Sequence, residues 1–182
     1  MKLSWSHKLF LCINAQIGKR PLLDRFMVFC ARWLIFILLA VVAVEGWRWE
    51  DAYETYEWVA WFFLFVMIVL ALGMNWLIAL FWKRPRPQAE FPEEVKTLVR
   101  AYQTFKTFPS DHTTIATILA IASVFVSSWY PLLIFGSILV AVSRVYVGLH
   151  YPRDIIGGIV SGGVFFYVGG YAAITSLFIM GY

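Results

Sequence analysis

Long apolar stretches are the feature of this 182-residue chain that most restricts its fold. Hydrophobic residues make up 61% of the chain and charged residues only 14%, whereas a soluble domain carries roughly a quarter charged residues. A helix that crosses a bilayer needs about 20 mainly apolar residues. The stretches of suitable length are residues 26–44, 58–82, 113–130, 132–149 and 155–179. The sequence therefore predicts an all-α, integral-membrane helical bundle of about five transmembrane helices, which form a single domain over residues 1–182.

Two other segments have the pattern of amphipathic helices that lie at a membrane surface. Residues 4–17 precede the first span, and we expect them to form an N-terminal amphipathic helix. Residues 91–107 belong to the basic loop 83–111, and their apolar residues recur at helical spacing with cations between them. We expect an interfacial helix there, which is either a lid over a site or a loop helix without a special role.

The charges between the spans predict which connections share one side of the membrane. Cations precede the first span, the connection at 45–57 is mainly acidic, and the loop at 83–111 is basic again. Five crossings would place the N-terminus, this basic loop and the connection at 150–154 on one side. The positive-inside rule favours the cytoplasm for that side. A phosphate site needs cations on whichever side of the membrane it lies, however, so the charges alone do not decide between the cytoplasmic and the outer side.

Polar residues interrupt the apolar sequence in two short islands, the first of which is Pro109-Ser110-Asp111-His112. Ser110 stands where a helix N-cap is expected, directly before a long apolar run. The free N–H groups and positive dipole end of a helix suit a phosphate. His112, in the first turn, would lie near the same anion. Taken alone, this pattern is also typical of an ordinary capped helix with an interfacial histidine.

The second island consists of Ser143, Arg144, His150 and Asp154. An arginine within an apolar helix is costly unless it is paired or faces a polar cavity. Because proline at 152 disfavours helix at Tyr151, we expect the fourth span to end near His150 and Asp154 to cap the next. The carboxylate of Asp154 would then accept a hydrogen bond from one imidazole nitrogen of His150 and leave the other nitrogen as a nucleophile.

With the basic cluster at 83–87, the two islands resemble the three signature motifs of the type 2 phosphatidic acid phosphatase superfamily. The motif Ser-Arg-x5-His-x3-Asp is matched in full by the second island. The motif Pro-Ser-Gly-His is matched with Asp111 in place of glycine, a variant found in bacterial undecaprenyl-diphosphate phosphatases. The motif Lys-x6-Arg-Pro ends at Arg86, but Ala79 occupies its lysine position. Lys83 and Arg84 are therefore further candidates for the first-motif cation.

The resemblance implies a phosphatase that uses no metal or other cofactor and that forms a phosphohistidine intermediate. His150 would attack phosphorus, Asp154 would orient it, and His112 would protonate the leaving oxygen and then activate water. The residues expected to bind the substrate phosphate are Arg86, Arg144, Ser110, Lys83 and Ser143.

The function that we expect first is hydrolysis of a polyprenyl diphosphate, such as undecaprenyl diphosphate, in a bacterial-type inner membrane. Phosphatidylglycerol phosphate, phosphatidic acid and a lipid A phosphate are the alternative substrates. A transporter or channel lined by Arg144 and His150 is an alternative of another class, but it predicts polar residues spread along several spans. An inactive scaffold would be expected to lack His112 or His150. The net charge of +4 suits lipid headgroups and substrate, and binding to nucleic acid is not indicated.

Overall fold

A computed structural model of the protein describes residues 3–48, 57–101 and 106–179. Its helices are α1 (Trp5–Asn14), α2 (Pro21–Phe29), a π-helical turn (Cys30–Leu34), α3 (Ile35–Arg48), α4 (Glu57–Phe81), α5 (Pro87–Glu90), α6 (Asp111–Val126), α7 (Tyr130–Tyr146) and α8 (Pro152–Ile179). The predicted all-α class is confirmed, since these described ranges contain no strand. Most of the acidic connection predicted at 45–57 lies outside the described residues.

Each predicted apolar stretch is helical over most of its length. Three helical rods, Pro21–Arg48, Trp61–Phe81 and Pro152–Ser176, are long and apolar enough to cross a membrane. The first of them runs through α2, the π-helical turn and α3. α6 and α7 are apolar but shorter, with 16 and 17 residues. The membrane class is therefore supported, and the number of crossings stays a prediction.

α6 lies at the centre of the bundle, where it contacts α3, α4, α7 and α8. Gly158 and Gly162, one turn apart on α8, allow the two backbones to approach closely. A β-carbon at either glycine would lie 2.7 Å from the carbonyl oxygen of Ser110 or Thr114, respectively. Small residues at this spacing are typical of close helix pairs in membranes. The first turns of α6 and α8, which carry the two polar islands, are thereby held side by side.

The N-terminal amphipathic helix predicted over residues 4–17 is present as α1. Its inner face packs on α7 and on the start of α8. Phe10 is fully buried there against Val145 and Tyr151, whereas Trp5 and Leu9 on the other face are exposed. α1 therefore covers the end of the bundle at which the polar islands lie.

The prediction of an interfacial helix over residues 91–107 is wrong for the described part of this segment. Residues 91–101 and 106–107 form turns and irregular backbone. The side chain of Asn14 accepts from the N–H of Lys96 at 2.9 Å and donates to its C=O at 2.8 Å. The N–H of Leu98 donates to the C=O of Val147 at 3.2 Å. Because other elements satisfy this backbone, no helix is required. The apolar side chains at 98–101 pack on the protein instead of facing lipid.

A tight turn follows α7, which ends at Tyr146, before the position near His150 where we predicted its end. Gly148 has a φ of +88°, and a β-carbon there would lie 2.5 Å from the carbonyl oxygen of Lys96. This left-handed residue closes the helix in the manner of a glycine C-cap. The N–H groups of Leu149 and His150 then both donate to the C=O of Arg144, at 3.1 and 3.2 Å. The turn therefore holds His150 directly beside Arg144.

The start of α8 differs from the prediction that Asp154 caps it. The helix begins at Pro152, and Asp154 lies in its first turn. Its Oδ2 accepts from the N–H of Tyr151 at 2.8 Å, as an acidic residue does in a capping box. His150 and Asp154 therefore meet across a corner, as predicted, rather than along one helix.

Candidate active site

Thr107 joins His150 to Asp154. The Nδ1 atom of His150 lies 2.8 Å from the C=O of Thr107, and the hydroxyl of Thr107 donates to Oδ2 of Asp154 at 2.6 Å. The distance from Nδ1 to Oδ2 is 3.7 Å, which is too long for a hydrogen bond. The direct bond that we predicted between imidazole and carboxylate is thus replaced by two bonds to Thr107.

This arrangement fixes the tautomer of His150. A backbone carbonyl can only accept a hydrogen bond, so the neutral imidazole carries its proton on Nδ1. Nε2 then keeps the lone pair that a nucleophile needs. Burial lowers the pKa of His150, the neighbouring Asp154 opposes this shift, and the positive charges of Arg144 and Arg86 add to it.

Arg144 is anchored by the π-helical turn between α2 and α3. Its side chain is buried, and its Nη1 donates to the C=O of Ala31 at 2.9 Å. The π-helical turn packs against α7, and such turns are frequent at functional sites. The Nε of Arg144 has no hydrogen-bond partner among the described residues. A buried guanidinium with an unused donor is suited to bind an anion.

Arg86 is the cation of the basic cluster that the structure brings to this site. Its Nη1 donates to the C=O of Leu149 at 3.3 Å, and its Nε is a further buried donor without a described partner. Arg84 stacks instead on the ring of Trp82, 4.3 Å from the ring centroid. Lys83 is exposed and makes no hydrogen bond or ion pair with the described residues.

Ser110 occupies the N-cap position of α6, as predicted, but its hydroxyl makes no capping bond. The N–H of Ser110 donates to the C=O of Asp154 at 3.1 Å, which joins the two islands. Its hydroxyl accepts from Oγ1 of Thr113 at 3.1 Å and keeps its own proton for another acceptor. The hydroxyl of Ser143 donates to the C=O of Val140 at 2.7 Å and is therefore directed to its own helix.

His112 lies in the first turn of α6 and is half-buried. It is near enough to interact electrostatically with Arg86, Arg144 and His150. The polar residues of both islands therefore occupy one region at one end of the bundle. This clustering disfavours the transporter or channel interpretation, which requires polar residues along several spans.

Two functional candidates at this site, Lys106 and Thr107, escaped the sequence analysis. The ammonium of Lys106 lies 2.6 Å from Oδ2 of Asp111. Both residues directly precede Phe108-Pro109, so they enter the site because the first island does. Both residues are far from His150 and Asp154 along the chain, so no short sequence motif contains them together with these two residues.

An apolar groove of about 290 Å³ begins beside the first island and runs between α6 and α7. Its walls include Thr113, Thr117, Ile121, Val124, Ile138 and Ala141. Thr113 also donates a hydrogen bond to the hydroxyl of Ser110, so the groove adjoins the polar region at this residue. The combination can hold a molecule with a hydrocarbon chain and an anionic head.

Comparison with known proteins agrees with this geometry. The family model described as the PAP2 superfamily matches residues 59–175. No curated protein matches the chain. The crystal structure of LpxE from Aquifex aeolicus is similar, with a TM-score of 0.70 and 24% identity over 92% of this chain and 96% of that one. A transmembrane PAP2-type phosphatidylglycerolphosphate phosphatase from Bacillus subtilis has a TM-score of 0.61 and 21% identity over 92% of this chain and 86% of that one.

The matched residues 59–175 contain all three motif regions, from the basic cluster to Asp154. They also contain α4, α6, α7 and most of α8, which hold those motifs together. The match covers well over half of the chain, and the fold is shared with two solved structures over nine-tenths of it. This chain therefore belongs to the PAP2 superfamily.

Proposed function

We propose that this protein is a membrane lipid phosphatase that hydrolyses a polyprenyl diphosphate, such as undecaprenyl diphosphate, through a phosphohistidine. The phosphatase class follows from its superfamily, whose phosphatases are metal-independent. The observation that carries the proposed mechanism is the fixed tautomer of His150, whose Nε2 is the nitrogen with a free lone pair.

In the first step, Nε2 of His150 attacks the terminal phosphorus, and the bond to the bridging oxygen breaks. His112 gives its proton to that oxygen, so the polyprenyl monophosphate leaves. Asp154 and Thr107 stabilise the imidazolium that develops on His150. Arg86, Arg144 and Ser110 donate to the phosphoryl oxygens as their charge redistributes.

In the second step, His112 accepts a proton from water, and this water attacks the phosphorus of the phosphohistidine. The nitrogen–phosphorus bond breaks, inorganic phosphate leaves, and His150 regains its neutral form. No metal or other cofactor takes part in this scheme.

A lipid substrate is supported by the apolar groove between α6 and α7, which adjoins the polar region at Thr113. The phosphate would bind among the cations while part of the hydrocarbon chain lies in the groove. Asp111, in the Pro-Ser-Asp-His sequence, supports a polyprenyl diphosphate in particular. The phosphatidylglycerolphosphate phosphatase that this chain is similar to makes phosphatidylglycerol phosphate the second candidate, and phosphatidic acid and a lipid A phosphate are further alternatives. The proposed location is a bacterial inner membrane.

The pH profile should reflect the lowered pKa of His150. Only the neutral imidazole is a nucleophile, and a lowered pKa keeps it neutral further into the acid range. We therefore expect kcat/KM to stay on its plateau below pH 6.5, the ordinary pKa of histidine, and to fall only in more acid solution. The substrate phosphate ionises at about pH 6 and is titrated separately by phosphorus NMR. An acid limb at or above 6.5 would contradict this assignment.

Replacing Thr107 with valine tests its link between Asp154 and His150. The variant loses the hydroxyl that binds the carboxylate but keeps the backbone carbonyl that binds Nδ1. Hydrogen bonds to charged groups contribute about 1.5–3 kcal/mol, so we expect kcat to fall about 10- to 100-fold with little change in KM. Thr175→Val, near the other end of α8, is the control. A Thr107→Val enzyme as active as the control would remove Thr107 from the mechanism.

The proposed function is tested by phosphate release from purified protein in detergent with a chelator present. The panel contains a polyprenyl diphosphate, a polyprenyl monophosphate, phosphatidylglycerol phosphate and phosphatidic acid. We expect the highest kcat/KM with the polyprenyl diphosphate. A higher value with phosphatidylglycerol phosphate would select the second candidate, and a strict requirement for divalent metal would refute the mechanism.

A further inference from the structure

Lys106 and Asp111 form an ion pair at the edge of the proposed phosphate site. The Nζ of Lys106 lies 2.6 Å from Oδ2 of Asp111, and the two side chains are 11% and 34% exposed. Asp111 is the first residue of α6 and neighbours both Ser110 and His112. The ammonium of Lys106 is thereby brought to the helix end at which we place the substrate phosphate.

A buried network fixes the carboxylate of Asp111. Asn75 of α4, which is fully buried, donates through Nδ2 to Oδ1 of Asp111 at 3.2 Å and to Oγ1 of Thr114 at 2.9 Å. The hydroxyl of Ser161 on α8 donates to Oδ1 of Asn75 at 2.8 Å. Residues of α4, α6 and α8 therefore fix the position of the Asp111 carboxylate, and the carboxylate in turn fixes the position of the Lys106 ammonium.

The pair lies within the same charged region as the two arginines. The negative charge of Asp111 acts on both Arg86 and Arg144, whose Nε atoms have no hydrogen-bond partner among the described residues. A carboxylate so close to a bound phosphate would repel it. An ammonium on the carboxylate cancels that repulsion and adds donors for phosphoryl oxygens. Ala79, at the lysine position of the first motif, is buried and supplies no charge.

We propose that Lys106 is a substrate-binding cation of this enzyme, and that Asp111 is a positioning residue that holds its ammonium beside the substrate phosphate. This inference rests on the proposed phosphatase function. Lys106 donates one hydrogen bond to Asp111 and uses a remaining N–H for a phosphoryl oxygen. The alternative is that the pair merely anchors the loop before Pro109.

Four variants separate these roles: Lys106→Met, Asp111→Asn, the double variant, and Arg100→Gln as a control. Arg100 is an exposed cation of the same loop. Each variant is assayed for kcat and KM with the best lipid substrate, for competitive inhibition by inorganic phosphate, and for its unfolding temperature in detergent.

We expect Lys106→Met to lower kcat/KM about 10- to 100-fold and to raise the inhibition constant of phosphate, because it loses a charge-assisted donor and exposes an unpaired carboxylate. Asp111→Asn keeps the cation and should lower kcat/KM less. The double variant should be more active than Lys106→Met, because it also removes the repelling carboxylate.

A loop anchor predicts a different result. Both single variants and the double variant would then lower the unfolding temperature alike, and the phosphate inhibition constant of each would equal that of Arg100→Gln. That outcome, or a fully active Lys106→Met enzyme, overturns the inference. If the wild-type protein releases no phosphate from any lipid, the proposed function itself has failed, which is a separate result.

Discussion

Replacing His150 with alanine should abolish phosphate release, with a loss of at least about 10⁴-fold in kcat, because it removes the nucleophile. The fold should survive, since the turn that carries residue 150 is held by backbone hydrogen bonds to Arg144 and by Gly148. The measurement is steady-state phosphate release with the substrate that performs best in the lipid panel.

His150→Gln is the companion variant, since it fills the same space without a nucleophilic nitrogen. Both variants should elute as the wild type does in gel filtration and should unfold at a similar temperature in detergent. A well-folded His150→Ala or His150→Gln protein that keeps a tenth of wild-type activity would contradict the covalent mechanism.

Replacing His112 with alanine should also stop steady-state turnover, but at a step that depends on the leaving group. The group that leaves from a polyprenyl diphosphate is the monophosphate, whose second pKa is about 6, so it needs little protonation. The first step should therefore still proceed, whereas hydrolysis of the phosphohistidine lacks its base. We expect one burst of polyprenyl monophosphate, of up to one equivalent per enzyme, followed by a stall.

A polyprenyl monophosphate substrate is the matched comparison for the His112→Ala protein. Its leaving group is an alkoxide, which requires a proton, so no burst should form. The two substrates are compared by rapid quench in single-turnover conditions. Continuous turnover of the diphosphate at the wild-type rate would show that His112 is not the base.

Much of the fold could be predicted because membrane helices are encoded locally. The apolar runs that contain α4 and α8 gave these helices nearly their observed bounds. The prediction over 91–107 failed because helical spacing of apolar residues does not reveal whether they face lipid or protein. Asn14 and Val147, far away in sequence, bind that segment and replace the hydrogen bonds of a helix.

In the candidate site, too, residues within one short motif could be predicted, whereas residues brought in by tertiary contacts could not. Arg144, His150 and Asp154 share one motif and are placed by one turn, so their spacing was sufficient to find them. Lys83 was a candidate by its position in the basic cluster, yet among the described residues Arg86 is the cation of that cluster that donates a hydrogen bond to the turn that carries His150. Thr107 becomes visible only when the segment before α6 packs against the start of α8, which no local pattern encodes. Lys106 lies close to its partner Asp111 in sequence, but the irregular segment between them has no periodic spacing that would pair them.

Identification of the phosphorylated residue distinguishes nucleophilic attack by His150 from direct attack by water. The His112→Ala protein is mixed with a polyprenyl diphosphate labelled in its terminal phosphate, quenched in alkali, digested and mapped by mass spectrometry. We expect an acid-labile phosphate on the peptide that contains His150, and none when His150 is also replaced. Label on another residue, or release of phosphate without any labelled protein, would contradict it.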